Sequence, residues 1–517
     1  MNLEQLKGMK VAVLGLGVEG TALANFLLGK AGSITLLDKL TKNQIEDRAK
    51  EEVDGKLVNI LKNSNFEFEL GHEHLDNLEK FDIIFRSPGI PYLNEKIQQA
   101  RAAGAIISSQ VKLFYDLCPC PIIGVTGTKG KGTTSSLIYE MLKKPQTYNS
   151  KLKNYSDCHC EESATRQSNS NETMKPLDYA RDRQLNNVYL AGNIGEPAIA
   201  LIDKLSKEDI VVLELSSFQL QDMEKSPHIA VVLNISVDHL DYHKDELEYK
   251  ESKKSIVKYQ TKNDYAVINQ DYLTSYQFSA DTVARVYYFS GKESVDQGAF
   301  LRKLQISNDK LQNSDDVYEV VLKMGDGEEV VCRSDEIKLI GKHNLENIAA
   351  ASVAARLAGA DTKSIAEAAK SFVGLPHRLD YLKEVNGVKF YDDSYATSPE
   401  PTMVAIDSFD KPIHLILGGS SKGADFTRLA EKITRSKIKS VSLIGDEKDK
   451  IEKSLTEAKY SGKIIRSEGN FKQIIKEVLE SAKRGEIALL SPACASFGLF
   501  KNYKDRGEKF SKAVNEF

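Results

Sequence analysis

Two glycine turns, each leaving an apolar strand and entering a helix, carry the residue types best suited to phosphate chemistry. The first lies in "VAVLGLGVEGTALANFLL", where Gly15, Gly17 and Gly20 have the spacing of a dinucleotide turn and Asp38 closes the next strand 18 residues after Gly20. Glycines at these positions permit a tight turn, and the helix that follows offers its first amides and its dipole to a diphosphate. "RSPGIP", Arg86–Pro91, ends another strand and offers further amides to the same crevice. Taken alone, this spacing also serves an unliganded strand–helix turn or a nicotinamide dehydrogenase. The second turn, "VTGTKGKGTT", runs from Val125 to Thr134. Gly127, Gly130 and Gly132 let successive amides face phosphate oxygens, Lys131 adds a cation, and Thr133 or Thr134 supplies a hydroxyl for Mg²⁺. Its spacing is not that of a full P-loop, since Gly132 separates Lys131 from the threonines.

Two strands beyond the second turn also end in chemistry. "DIVVLELSSFQL" delivers Glu214, and "IAVVLNISVDHLDYH" leads to Asp238 and His239. Ligands of open α/β sheets bind at the carboxyl ends of the strands, so these side chains converge on the crevice that the glycine-lysine turn opens. A carboxylate and an imidazole beside phosphate are natural partners for Mg²⁺. Lys250, Lys253 and Lys254 read by themselves as an exposed basic face of a helix.

The elements that must hold these groups are short apolar runs alternating with helical patterns, the signature of parallel α/β units. Val11–Leu14, Ile34–Leu37 and Asp82–Phe85 read as strands in the first third. Ile210–Leu213, Val231–Ile235 and Tyr265–Ile268 follow in the middle, and Val388–Tyr391, His414–Leu417, Val441–Ile444 and Ile487–Leu490 in the last third. The expectation is three α/β domains in series: 1–119, 120–374 and 375–517. The stretch 145–187 is polar, poor in aliphatics and aperiodic, and is expected to be a mobile surface insertion.

The chain has 517 residues, enough for several cores, and a net charge of −4, which gives no reason to expect nucleic acid or an anionic membrane as partner. No apolar run approaches the ~20 residues that span a bilayer. Six cysteines in so long a chain make no disulfide framework and suit a reducing cytoplasm. The one-residue spacing of Cys118/Cys120 and Cys158/Cys160 is not that of common zinc knuckles.

Taken in order, "GTKGKGTT", "AGNIG", "LELSSFQL", "NISVDHLD", "YKESKK", "IGKHNLEN", "GLPHR", "YDDSYATSPE", "GGSSKGADF" and "SPACASFGLFKNY" make the chain similar to the Mur ligase family. The resemblance spans nearly everything outside the polar insertion. It implies a Rossmann-like UDP-binding domain, a central P-loop-type ATPase domain and a C-terminal Rossmann-like domain. The implied reaction is ATP-driven joining of glutamate to UDP-N-acetylmuramoyl-L-alanine through an acyl phosphate, in peptidoglycan precursor synthesis, with Mg²⁺, by a cytoplasmic monomer.

Residue by residue, the resemblance implies that Gly15, Gly17, Val18, Glu19, Asp38 and Ser87-Pro88-Gly89 hold the UDP part. Asn193, Ser216 and Gln219 would face the muramoyl-alanine. Gly127, Thr128, Lys129, Gly130, Lys131, Gly132, Thr133 and Thr134 would hold the ATP phosphates, with Asn344, Asn347, Arg378 and Asp393 as further ATP contacts. Thr133, Glu214, His239 and a carbamylated Lys253 would serve the metal. Thr397, Lys422, Ser496 and Tyr503 would grip the incoming amino acid. Three positions depart from the family's pattern: Gly132 stands where a hydroxyl residue is usual, Tyr395 where lysine is usual, and Tyr503 where phenylalanine is usual. "GKGTT" is similar to folylpolyglutamate synthases, a sister group. The last two departures fall where the amino acid is chosen, so L-glutamate or another amino acid stands behind D-glutamate. A nucleotide-binding module without catalysis is the remaining alternative.

Overall fold

The computed structural model describes residues 1–51, 55–143, 186–236, 242–304, 316–325, 327–421, 423–467 and 470–517. Three sheets follow one another along the chain. The first contains β1 (Lys10–Leu14), β2 (Ser33–Asp38), β3 (Phe66–Leu70), β4 (Ile83–Arg86) and β5 (Ile106–Ser108), all parallel, in the order β3-β2-β1-β4-β5. Alternation along β1 feeds two cores: Val11 and Val13 pack on one face of the sheet, Ala12 and Leu14 on the other. An apolar run without polar breaks is what a strand covered on both faces requires.

The second sheet contains β6 (Ile122–Thr126), β7 (Val188–Gly192), β8 (Ile210–Glu214), β9 (Ile229–Val232), β10 (Tyr265–Asn269), β11 (Arg285–Ser290), β12 (Gly298–Lys303), β13 (Tyr318–Met324) and β14 (Gly327–Arg333). Their order is β14-β13-β12-β11-β10-β9-β6-β8-β7, parallel from β7 to β12 and antiparallel through β13 and β14. The expected strand Val231–Ile235 is shifted: it starts at Ile229 and ends at Val232. Beyond Val232 the chain leaves the ladder to brace the second glycine turn, Asn234 accepting from the Thr128 amide at 2.6 Å. The third sheet contains β15 (Asp380–Val385), β16 (Val388–Asp392), β17 (Ile413–Gly418), β18 (Ile438–Ile444), β19 (Lys463–Arg466) and β20 (Ile487–Leu490), in the order β15-β16-β20-β17-β18-β19. Only β15 runs antiparallel to its neighbour.

The helices that matter for the site are α1 (Val18–Leu27), α2 (Gln110–Leu117), α3 (Lys131–Lys143), α4 (Ser217–Leu220), α5 (Glu246–Lys258), α6 (His343–Leu357) and α7 (Tyr503–Asn515). α3 opens with "KGTTSS", a run of poor helix formers. Gly132 through Ile138 are all buried there, so close packing of small side chains against the sheet offsets weak propensity.

Two compact units result, the first Met1–Glu336 with Leu345–Lys370, the second Ile337–Asn344 with Ser371–Phe517. Within the first unit the first and second sheets share one core cluster. Gln110 of α2 accepts from the Ile199 amide at 3.2 Å, and the Arg86 guanidinium pairs with Asp222 at 3.0 Å, both side chains almost fully buried. The polar insertion lies outside the described residues as far as residue 185. Its expected end is too late, because Asn187 is already fixed by two bonds to Asp209 Oδ1. Among the described residues no helix is long and apolar enough to cross a membrane.

Candidate active site

In the first sheet the strand order reverses between β1 and β4, and the first glycine turn emerges there. Gly15 follows β1 with φ +86°, a conformation that favours glycine. Gly17 caps α1 in an extended conformation, with open space where a Cβ would point. A Cβ at Gly20 would overlap the Gly15 carbonyl oxygen, so this glycine sets how closely α1 approaches the turn. Ser87 donates its hydroxyl to the same carbonyl at 2.9 Å, which ties the loop after β4 to the loop after β1.

The carboxylates of this turn face inward. Asp38 accepts from the Leu16 amide at 2.7 Å and the Leu40 amide at 2.9 Å, and Arg48 donates to the Leu16 carbonyl. Glu19 accepts from Gln219 Nε2 at 2.6 Å, and burial raises its carboxyl above the ordinary range, with Gln219 and Arg86 only partly opposing. Gln219 also closes a capping box with Ser216 at the start of α4. Asp38, Glu19, Ser216 and Gln219 therefore all have protein partners, while Gly17, exposed Val18 and Gly89 front open space.

The second glycine turn leaves β6, whose neighbours are β8 and β9. Register pairs Val125 with Glu214, so the buried Glu214 carboxylate stands beside the mouth of the turn, where Asn193 Nδ2 donates to it at 3.0 Å. Gly127 has φ +156° and Gly130 φ +86°; a Cβ on Gly130 would overlap Asn347 Oδ1, and Thr134 donates to that oxygen at 3.3 Å. Lys131 Nζ donates to the carbonyls of Gly127 at 3.0 Å and Thr128 at 3.1 Å. Lys129 is exposed, while Thr133 is buried in the first turn of α3.

Lys253 corrects the reading of an exposed basic face. It is 1% exposed, and its Nζ reaches the Gly127 carbonyl at 3.0 Å and Thr126 Oγ1 at 3.4 Å, over the Tyr249 ring. Lys250 and Lys254 stay near the surface, paired with Glu246 and Glu251. The periodicity of α5 turns Lys253 inward, with Tyr249 one helical turn before it.

Oxygen donors suit a hard cation, and Glu214 with Thr133 beside a phosphate turn fits Mg²⁺, which binds through one or two carboxylates and keeps waters and phosphate oxygens as further ligands. Among the described residues no three His, Cys, Asp or Glu side chains gather into a metal cluster of their own. Cys118 and Cys120 approach each other at 3.6 Å between sulfurs. His239, Lys422, Cys158 and Cys160 lie outside the described residues.

In the second unit, Asp393 follows β16 and is buried. Its Oδ2 accepts from Ser491 Oγ at 2.6 Å, and burial pushes its carboxyl up to about 7, with the Ser491 bond and Arg378 opposing. Arg378 lies 5.5 Å from the Tyr395 ring centroid, and Tyr395 meets Tyr503 edge to face at 5.1 Å. The two tyrosines that depart from the family's pattern thus pack against each other. His377 Nδ1 bonds Asp392 Oδ2 at 2.7 Å, a contact that raises its pKa above 6.5. Asn344 Nδ2 donates to the Ile340 carbonyl at 2.7 Å. Thr397 is half-buried and Ser496 buried.

Sequence reasoning passed over Arg86, Asp222 and Arg506. A charged residue ending the apolar strand "DIIFR" is a usable signal for a buried partner, but Asp222 sits in "LQDMEK", where nothing separates it from surface charge. Arg506 lies in the equally charged "NYKDRGEK" yet is completely buried.

Three family profiles match the chain in order. Residues 9–109 match the Mur ligase MurD-like N-terminal domain, 125–355 the Mur ligase middle domain, and 377–494 the Mur ligase glutamate ligase domain. The UDP-N-acetylmuramoylalanine–D-glutamate ligase of Acetivibrio thermocellus is 35% identical, the match covering 99% of this chain and 97% of that protein. The enzyme of the same name from Clostridium botulinum is 36% identical over the same shares. Among solved structures, the UDP-N-acetylmuramate–alanine ligase of Thermotoga maritima shares the fold with a TM-score of 0.54 at 16% identity, covering 98% of this chain and 99% of that one.

Proposed function

The chain belongs to the Mur ligase family, and on that premise we propose that it is an ATP-dependent ligase joining D-glutamate to UDP-N-acetylmuramoyl-L-alanine in peptidoglycan precursor synthesis. One observation carries the reading: at the end of β6, two lysine amines and a buried carboxylate surround a glycine turn whose helix presents its first amides. Binding a nucleotide requires the turn. Moving a phosphoryl group also requires fixed positive charge where negative charge builds up.

A carboxylate resists attack by an amine because it is anionic and has no good leaving group. Transfer of the γ-phosphoryl from ATP to the alanine carboxylate supplies that leaving group. The glutamate amine then adds to the acyl carbon, and phosphate departs as the amide forms. Lys131 releases its hold on the Gly127 and Thr128 carbonyls and turns to the phosphate oxygens. Amides of the first turn of α3 hold the β-phosphate. Glu214 and Thr133, with His239 and a carbamylated Lys253, would hold Mg²⁺. When bound, the ion offsets phosphate charge during transfer. Addition of carbon dioxide to the Lys253 amine, which already reaches the turn, with loss of a proton, would make a carbamate oxygen available as a ligand.

The first glycine turn binds the UDP part through backbone groups of Gly15, Gly17, Val18 and Ser87–Gly89, with Asn193 towards the sugar-linked peptide. Asn347 and Asn344 serve the nucleotide, as do Arg378 and Asp393. Thr397, Ser496, Tyr503 and Lys422 hold the amino acid. We take residues 1–119, 120–374 and 375–517 as the three functional domains of a cytoplasmic enzyme.

The test is a panel of D- and L-amino acids incubated with ATP and UDP-N-acetylmuramoyl-L-alanine, scored by the mass of the nucleotide product and by phosphate release. D-glutamate should give one new amide and one phosphate per product, with little release when any substrate is omitted. Turnover of a nicotinamide cofactor, or phosphate release indifferent to the amino acid, would contradict the reading.

A further inference from the structure

Among its described residues the second unit contains one fully buried cation that the proposed chemistry does not use. Arg506, near the start of α7, has 0% exposure. Its Nε donates to Ser394 Oγ at 2.9 Å and its Nη2 to the Ser394 carbonyl at 2.8 Å. Its Nη1 reaches the carbonyls of Cys494 at 3.1 Å and Ala495 at 3.2 Å. All four acceptors are neutral oxygens, and among the described residues no carboxylate pairs directly with the guanidinium. Burial pulls its pKa down to about 10, with Asp392 and Asp393 opposing from a distance.

The acceptors are not scattered. Ser394 precedes Thr397 by three residues and also donates its hydroxyl to the Tyr503 carbonyl at 2.8 Å. Ala495 adjoins Ser496, and its carbonyl also receives the Ser420 amide at 2.9 Å from the glycine-rich loop after β17. Ala493, one residue before Cys494, has φ +58°, a left-handed conformation that an alanine holds only when its surroundings impose it. A planar fork with donors on three nitrogens can satisfy acceptors from several segments at once, which a lysine ammonium on a flexible stem does poorly.

We propose that Arg506 is the positioning residue of the amino-acid site, its guanidinium fixing together the segments that carry Thr397, Ser496 and Tyr503. Because its charge meets no contacting carboxylate, it also leaves a positive potential beneath that site, which suits an incoming amino acid with two carboxylates. This inference rests on the reading of Thr397, Ser496 and Tyr503 as the grip on the amino acid.

The experiment is steady-state kinetics of the full chain with each of the three substrates varied in turn, for Arg506→Met, Arg506→Lys and Ser394→Ala, with melting curves to verify folding. For Arg506→Met the KM for D-glutamate should rise about tenfold or more, while the KM values for ATP and the UDP substrate stay within about twofold. Arg506→Lys keeps the charge without the fork and should recover only part of the loss. Ser394→Ala should give a smaller rise confined to the same substrate, and it decides the matter if the Met variant does not fold. An unchanged KM for D-glutamate in a folded variant, or an equal rise for all three substrates, would overturn the inference. A parent enzyme that turns over no amino acid would instead remove the functional reading on which it rests.

Discussion

The two glycine turns of the first unit share a plan, strand to turn to helix at a sheet's carboxyl edge, and differ in where their charges sit. Around the first, side chains brace the backbone from behind: Asp38 on the Leu16 amide, Arg48 on the Leu16 carbonyl, Ser87 on the Gly15 carbonyl. Its half-buried Glu19 accepts from Gln219. Around the second, Lys131 and Lys253 amines lie on the turn's own carbonyls and Glu214 stands at its mouth. A braced turn with its charges turned inward can hold a diphosphate through amides but has nothing to offer a charge that changes during reaction. A turn carrying amines can do both. One site is built for binding, the other for binding and transfer.

Lys131→Ala should break this contrast most visibly. Removing a cation that meets charge only as it develops should lower kcat by about 10²–10³-fold, with the KM for the UDP substrate almost unchanged. Turnover within a few-fold of the parent would erase the distinction between the turns. Gly130→Ala comes next, since it forces a side chain into a left-handed conformation and onto Asn347 Oδ1. The strain costs about 1–2 kcal/mol, and nucleotide titration should show weakened ATP binding with the UDP substrate unaffected.

Gly20→Ala is the counterpart at the first turn, where the added methyl would overlap the Gly15 carbonyl. Overpacking of this kind costs roughly 1–3 kcal/mol, so thermal melting should drop and the KM for the UDP substrate should rise while kcat at saturation holds. A fall in kcat as large as that of Lys131→Ala would mean that the first turn also takes part in the chemistry.

The smallest effect is expected from Glu19→Gln. The folded chain raises the Glu19 carboxyl above its usual 4.5, so it binds a proton more readily than the unfolded chain. Its stability therefore declines as pH climbs from that value through the raised one. Glutamine can still accept the Gln219 amide and has no proton to lose. Melting at about pH 5 and about pH 8 should show a smaller drop for the variant than for the parent.

The legible parts of the molecule are those whose chemistry is local in sequence. Gly15, Gly17 and Gly20, or Gly127, Gly130 and Lys131, carry their purpose in their spacing because a turn is made by neighbours. The three central strands of the first sheet, β2, β1 and β4, were readable for the same reason, as apolar runs. Strand β3 ("FEFEL") carries charges on one face, β14 ("GEEVVCR") opens with two adjacent glutamates, and β15 buries only Val385 fully, so apolar content alone does not mark them. Lys253 was ambiguous because its helix carries lysines on both faces, and only packing decides which of them is buried. Asp222 and Arg506 were invisible: each gets its role from partners more than 100 positions away, Arg86 in one case and Ser394 in the other. The resemblance to the Mur ligases supplied roles for single positions, but not the inward-facing carboxylates of the first turn.

The fate of one oxygen atom tests the central claim most directly. UDP-N-acetylmuramoyl-L-alanine carrying heavy oxygen in its alanine carboxylate is converted with ATP and D-glutamate, and the released phosphate is weighed. Phosphoryl transfer at the second turn predicts that one carboxylate oxygen leaves with each phosphate; phosphate free of the label would contradict it.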